Sequence, residues 1–132
     1  MDKPNIALNR YATEHFKAFK ILKDNTKSDT DLMYIKYYLL CRCLELCFKE
    51  HIVFNGICPF EDLANKYGHN LLVLMNDAES INYIDINSQE ETIVKVLNNY
   101  YNSKEFEYPK TGLKTFPVIE DVEELCNRLV WL

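Results

Sequence analysis

The stretch that decides the fold runs from Asp29 to Val53, DTDLMYIKYYLLCRCLELCFKEHIV. It contains no Gly, no Pro and no turn cluster, and wound as a helix it is apolar around most of its circumference. Only Tyr38, Arg42, Glu45 and Lys49 form a continuous polar stripe, at spacings i, i+4, i+7 and i+11. A helix apolar on nearly all sides is packed on several sides, so the remaining chain is expected to assemble around it.

Outward from this helix, residues 6–23 place Leu8, Ala12, His15, Phe16, Phe19 and Leu22 on one face at the 3.6 period. Lys17, Lys20 and Lys23 line the other side, either as a solvated face or as a patch for phosphate or an acidic partner. Residues 24–30 form a turn cluster with several candidate N-caps. Asn55-Gly56 stops the central helix, and Pro59 suits the first turn of the next. Between 60 and 78 a helical stripe is interrupted by Gly68-His69-Asn70, which favours two short helices, the second starting near Asn70.

Ser80–Asn87 alternates apolar and polar residues, but a lone strand would have no partner, so an ordered linker is expected. Ser88-Gln89-Glu90-Glu91 reads as a capping box opening a helix with Ile93, Leu97 and Tyr100 inward. After a loop over 102–115, Pro117 opens the last helix, with Val118, Val122, Leu125 and Leu129 as its buried line. The expectation is one all-α domain over residues 1–132, an up-and-down antiparallel bundle of about five helices.

The chain has 132 residues, 48% of them hydrophobic and 27% charged, close to globular averages. No apolar run approaches a membrane span, and the first residues lack a signal-peptide layout, so a cytoplasmic protein is expected. Five cysteines, three crowded into one helix, read as reduced thiols rather than a disulfide scaffold. Residues 1–66 carry ten Lys/Arg against nine Asp/Glu, whereas residues 67–132 carry five against eleven. That balance opposes broad, non-specific nucleic-acid binding, which depends on neutralising phosphates, but leaves room for a local basic patch.

Glu45-Leu46-Cys47-Phe48-Lys49, Gly56, Lys66-Tyr67-Gly68-His69-Asn70-Leu71, Tyr100-Tyr101 and Phe106-Glu107-Tyr108-Pro109 follow one another along nearly the whole chain. In this order they resemble the HEPN superfamily (higher eukaryotes and prokaryotes nucleotide-binding domain), with its E-L-x-x-K and K-x-G-H-D-L patterns. The resemblance implies an antiparallel helical bundle, commonly a homodimer, tied to nucleotide or RNA biology. It also implies a separately encoded partner such as a minimal nucleotidyltransferase. Many catalytic relatives are metal-independent ribonucleases with an Arg, four to six residues, then a His, late in the bundle. Here the only formal match is Arg10 to His15, at the opposite end, and its two side chains would lie about 140° apart on a helix. His15 reads as a core-edge histidine.

Two clusters remain. Cys43, Cys47 and His51 share one helical side at i, i+4 and i+8, but lack a fourth ligand, so packing is expected and no metal or cofactor is assigned. The Tyr38/Arg42/Glu45/Lys49 stripe must meet water, a counter-charge or a ligand, because unpaired buried charge is costly. A structural network and a binding groove are equally compatible with it. The candidate ligand-binding residues are therefore Tyr38, Arg42, Glu45, Lys49 and His69, in a non-catalytic HEPN-like nucleotide- or RNA-associated binding or interaction module. The alternatives are a ribonuclease using His69 with Arg42 or Lys49, and an unrelated helical structural protein. Abundant apolar helix surface and the ending Leu129-Val130-Trp131-Leu132 further suggest a homodimer.

Overall fold

In the computed structural model, which describes residues 4–80, 84–108, 112 and 114–130, the chain is an all-α bundle. The helices are α1 (Pro4–Asp24), α2 (Met33–Phe54), α3 (Leu63–Tyr67), α4 (Leu71–Glu79), α5 (Ser88–Tyr101) and α6 (Ile119–Val130). A 3₁₀ turn, Phe60–Asp62, precedes α3, and no strand occurs among the described residues. None of these helices is long and apolar enough to cross a membrane. The expected five helices become six because the segment 60–78 divides at Gly68, as its sequence suggested.

α2 is the hub. It packs along α1 and also meets α4, α5 and α6, while α4 lies on α5 and α6 touches α1. Leu40, Cys41, Cys43, Leu44, Cys47, Phe48 and Ile52 of α2 are all fully buried. Against them α1 sets Leu8, Ala12, Phe16 and Phe19, α4 sets Leu71, Leu74, Met75 and Ala78, and α6 sets Val122, Leu125, Cys126 and Leu129. Such burial, at roughly 25 cal/mol per Å² of apolar surface, is the main force holding the bundle.

Helix ends follow local chemistry. Asn55 caps α2 by donating from Nδ2 to the His51 carbonyl, and Gly56 takes φ +73°. Gly56 N then bonds Val53 O at 3.1 Å and Ile57 N bonds Ile52 O at 3.0 Å, a Schellman ending that a side chain at Gly56 would strain. α2 starts at Met33, just beyond the turn cluster expected to cap it. Asp31 instead turns back to accept from Lys27 N at 3.2 Å, and Leu32 sits in the left-handed region with no side-chain cap. Lys36, buried just inside α2, reaches back to the Ser28 carbonyl at 2.9 Å and ties down this turn.

Three other expectations shift. The capping box of α5 is centred on Asn87, not Ser88: Glu90 N donates to Asn87 Oδ1 at 2.8 Å and Asn87 N donates to Glu90 Oε1 at 3.1 Å. The helix α6 starts at Ile119 rather than Pro117, because the Pro117 carbonyl is taken at 2.5 Å by the Tyr37 hydroxyl. Val118 consequently stands 61% exposed, and Ile119 replaces it in the buried line. Leu129 and Val130 are buried within the chain itself; Trp131 and Leu132 lie outside the described residues. In the linker, Ile84–Asn87 is irregular with Ile84 and Ile86 buried, while 81–83 fall outside the description.

A ring cluster closes one end of the bundle. Phe116 lies 5.0 Å from Tyr37 and 4.7 Å from Tyr100, with Phe106 and Tyr34 packed beside them. The Tyr100 hydroxyl both donates to Thr115 O and accepts from Thr115 N, so it pairs with the strap before α6. That ring packing and the paired backbone place Tyr100 in the core lining of α5 without burying it fully.

Candidate functional site

Glu45 sits halfway along α2 with its side chain fully buried. A lone carboxylate there would be too costly to keep ionised. Both of its oxygens are instead filled. Lys49 Nζ donates to Oε2 at 2.6 Å and Arg42 Nη1 to the same oxygen at 2.9 Å. His69 Nδ1 meets Oε1 at 2.9 Å, and the Tyr101 hydroxyl donates to that oxygen as well. Burial pushes the Glu45 carboxyl up, but the hydrogen bond and charge of Lys49, with Tyr101 and His69, outweigh it, and the net shift is downward.

Each donor arrives by a different route. Arg42 and Lys49 come from α2 itself, at i−3 and i+4 from Glu45, where one helical turn makes them neighbours. Tyr101 comes from the last turn of α5, its ring in the core and its hydroxyl on the carboxylate. Burial and the Glu45 charge raise this phenol far above its ordinary value, so it stays a donor.

His69 comes from the turn between α3 and α4. Gly68 makes that turn with φ +55° and ψ −123°, a conformation open essentially to glycine alone. Asn70 then caps α4, accepting from Val73 N, and Asn98 of α5 locks the corner. Asn98 Oδ1 takes Leu71 N at 2.8 Å while its Nδ2 donates to Asn70 Oδ1 at 3.1 Å. The His69 ring stands edge-on to Tyr101, 5.9 Å between centroids, with its side chain 50% exposed.

Because an ionised carboxylate only accepts, His69 Nδ1 carries a proton, and in the neutral ring the lone pair is on Nε2. Arg42 and Lys49 also line a groove of about 390 Å³. It is lined by α1, by α2 and by residues 60–64, including Leu8, Tyr11, Leu46, Phe60, Glu61 and Leu63. The arrangement can therefore offer an anion two anchored cationic side chains at this groove, and a half-exposed imidazole that is not among the groove's lining residues.

The structure thus gathers Arg42, Glu45, Lys49 and His69 around one carboxylate. Tyr38 is adjacent without touching it: its ring lies 6.1 Å from Tyr101, and burial and then Glu107 raise its phenol. Tyr101 as a donor and Asn98 as the clamp join these residues without having been expected from the sequence. A buried tyrosine tip needs a partner, and Tyr101 four residues after buried Leu97 was the available signal. Asn98 gave none.

Arg10 and His15 are not part of this site. His15 is bonded through Nδ1 to the Tyr11 carbonyl of its own helix at 2.7 Å. All five cysteines are free and buried, and no group of three metal-ligating side chains occurs among the described residues. Lys23 pairs with Glu123 at 2.8 Å and Lys20 lies over the Phe16 ring at 4.6 Å, so the lysine face of α1 is partly tied down.

No protein-family model, curated protein or solved structure matches this chain.

Proposed function

We propose that this chain is a non-catalytic, HEPN-like binding module associated with nucleotides or RNA, acting as a homodimer and in partnership with a minimal nucleotidyltransferase. The observation that carries the reading is the Glu45 arrangement: a buried carboxylate holds buried Lys49 together with Arg42 and His69, the latter two in fixed positions partly open to solvent. A network that served stability alone would gain nothing from leaving Arg42 30% and His69 50% exposed. The motif order from Glu45 to Tyr108 supports the family assignment, and exposed Ile21, Leu32, Ile35 and Phe54 supply apolar surface for self-association. The partner rests on the family resemblance.

The test is fluorescence anisotropy with labelled nucleotide and short single-stranded RNA, alongside light scattering. Saturable binding that falls in Lys49→Met, at a mass twice 15.6 kDa, is the expected result. Absence of binding to both probes overturns the nucleotide reading, and a monomer mass overturns the dimer.

One feature favours a second reading, a metal-independent ribonuclease. His69 has the tautomer of a general base, fixed by Glu45 as carboxylates fix catalytic histidines, with Arg42 nearby to stabilise a phosphorane. RNA cleavage that disappears in both His69→Ala and Arg42→Ala, with folding intact, would replace the non-catalytic reading by this one.

A further inference from the structure

The groove beside Arg42 and Lys49 is mostly apolar, yet these two cationic residues are part of its lining. Two carboxylates, buried Glu45 and exposed Glu61, stand against these two cations, so what the groove offers is the N–H donors of Arg42, whose side chain is 30% exposed, rather than surplus charge. Leu46 and Leu63 line it with aliphatic surface, and the rings of Tyr11 and Phe60 stand 55% and 45% exposed at it. Exposed rings beside apolar surface favour a flat ligand, and the guanidinium donors of Arg42 favour one anionic group on it. Glu61 also lines the groove, from an exposed position. It and the net charge of −5 disfavour a polyanion.

We infer that this groove binds a small planar-ring anion, its charged group at Arg42 and Lys49 and its ring against Tyr11 and Phe60. A nucleoside monophosphate and an aromatic carboxylate share this chemistry. The inference rests on the binding-module reading and goes further, because His69 is not among the residues lining the groove. His69 is therefore left out of the ring anion's contacts. Volume supports a small ligand: about 390 Å³ is at the low end of pockets that enclose small molecules.

The experiment is an amide-resolved NMR titration of the full chain with adenosine monophosphate, benzoate, adenosine and inorganic phosphate. The two ring anions are expected to move the amides of Leu46, Leu63 and Ala64, and the uncharged nucleoside and bare phosphate to bind about tenfold more weakly. Arg42→Gln and Tyr11→Ala should each weaken the ring anions about tenfold. Glu45 keeps three donors in the first, and Tyr11 is exposed, so both variants should retain the wild-type spectrum elsewhere.

Groove amides that stay still with both ring anions, or shifts unchanged in both variants, overturn the assignment. So does adenosine binding as tightly as its monophosphate. A response to nucleotide or RNA confined to the amides around His69 and Tyr101 also overturns it, while leaving the binding-module reading intact. A groove response to benzoate without one to the nucleotide keeps the slot and removes the nucleotide reading instead.

Discussion

The two sides of α2 bury polar atoms in opposite ways. On one side Glu45 is a full charge, kept by Lys49, Arg42, His69 and Tyr101 from three different parts of the chain. On the far side Cys43 and Cys47 face Cys126 of α6, and all three are fully buried. There the hydrogen bond to Cys126 raises the Cys43 thiol, and burial holds Cys126 above its ordinary value, so the groups stay neutral. Neutral thiols ask for packing only. A carboxylate asks for donors, donors need fixed positions, and fixed charged groups beside a groove are what a binding site requires. The difference explains why the site lies on the Glu45 side.

That comparison can be broken most forcefully by exchanging the demands of the two sides. Glu45→Ala leaves Lys49 and Arg42 without their counter-charge and should cost about 3–5 kcal/mol. Cys47→Asp puts a charge where only thiols wait and should cost about as much. Urea unfolding measures both; a loss below about 1 kcal/mol in either would show that the two sides do not differ as described.

Smaller changes sharpen it. Tyr101→Phe removes one donor from a buried carboxylate and should cost about 1–3 kcal/mol, read from the same unfolding curves. Cys47→Ala only thins the packing and should cost about 1 kcal/mol. At the low end, Lys95→Ala breaks the exposed helix pair with Glu91, 3.0 Å apart, and should stay within about 0.5 kcal/mol.

Much of this was legible in the sequence, for reasons that differ by residue. The hub role of α2 was written in its uninterrupted apolar period, and its end in Asn55-Gly56. The division at Gly68 was readable because glycine and asparagine each have one strong local preference there. Arg42, Glu45 and Lys49 were readable as a set because helical spacing alone places them together.

What escaped depends on distance in the chain. The hydroxyl of Tyr101 meets Glu45 across 56 residues, and Asn98 clamps Asn70 across 28, and no local period encodes either contact. The shift of the capping box from Ser88 to Asn87 escaped because both residues cap well, and Glu90 settled the choice by also binding Arg128 at 2.6 Å. The start of α6 moved because Tyr37, 80 residues earlier, claims the Pro117 carbonyl.

Glu45 is an ionised carboxylate held by its donors. Its folded pKa lies below the ordinary glutamate value of about 4.3. Its contribution to stability is therefore fully present above that ordinary value and is lost as pH falls through the lowered one. Carbon-13 NMR of the Glu45 side-chain carboxyl, followed downward in pH, measures this directly. The signal is expected to stay ionised below the range of the exposed glutamates and to change only as the chain loses stability. A carboxyl that takes up its proton above about pH 4.3, with the fold intact, would contradict it.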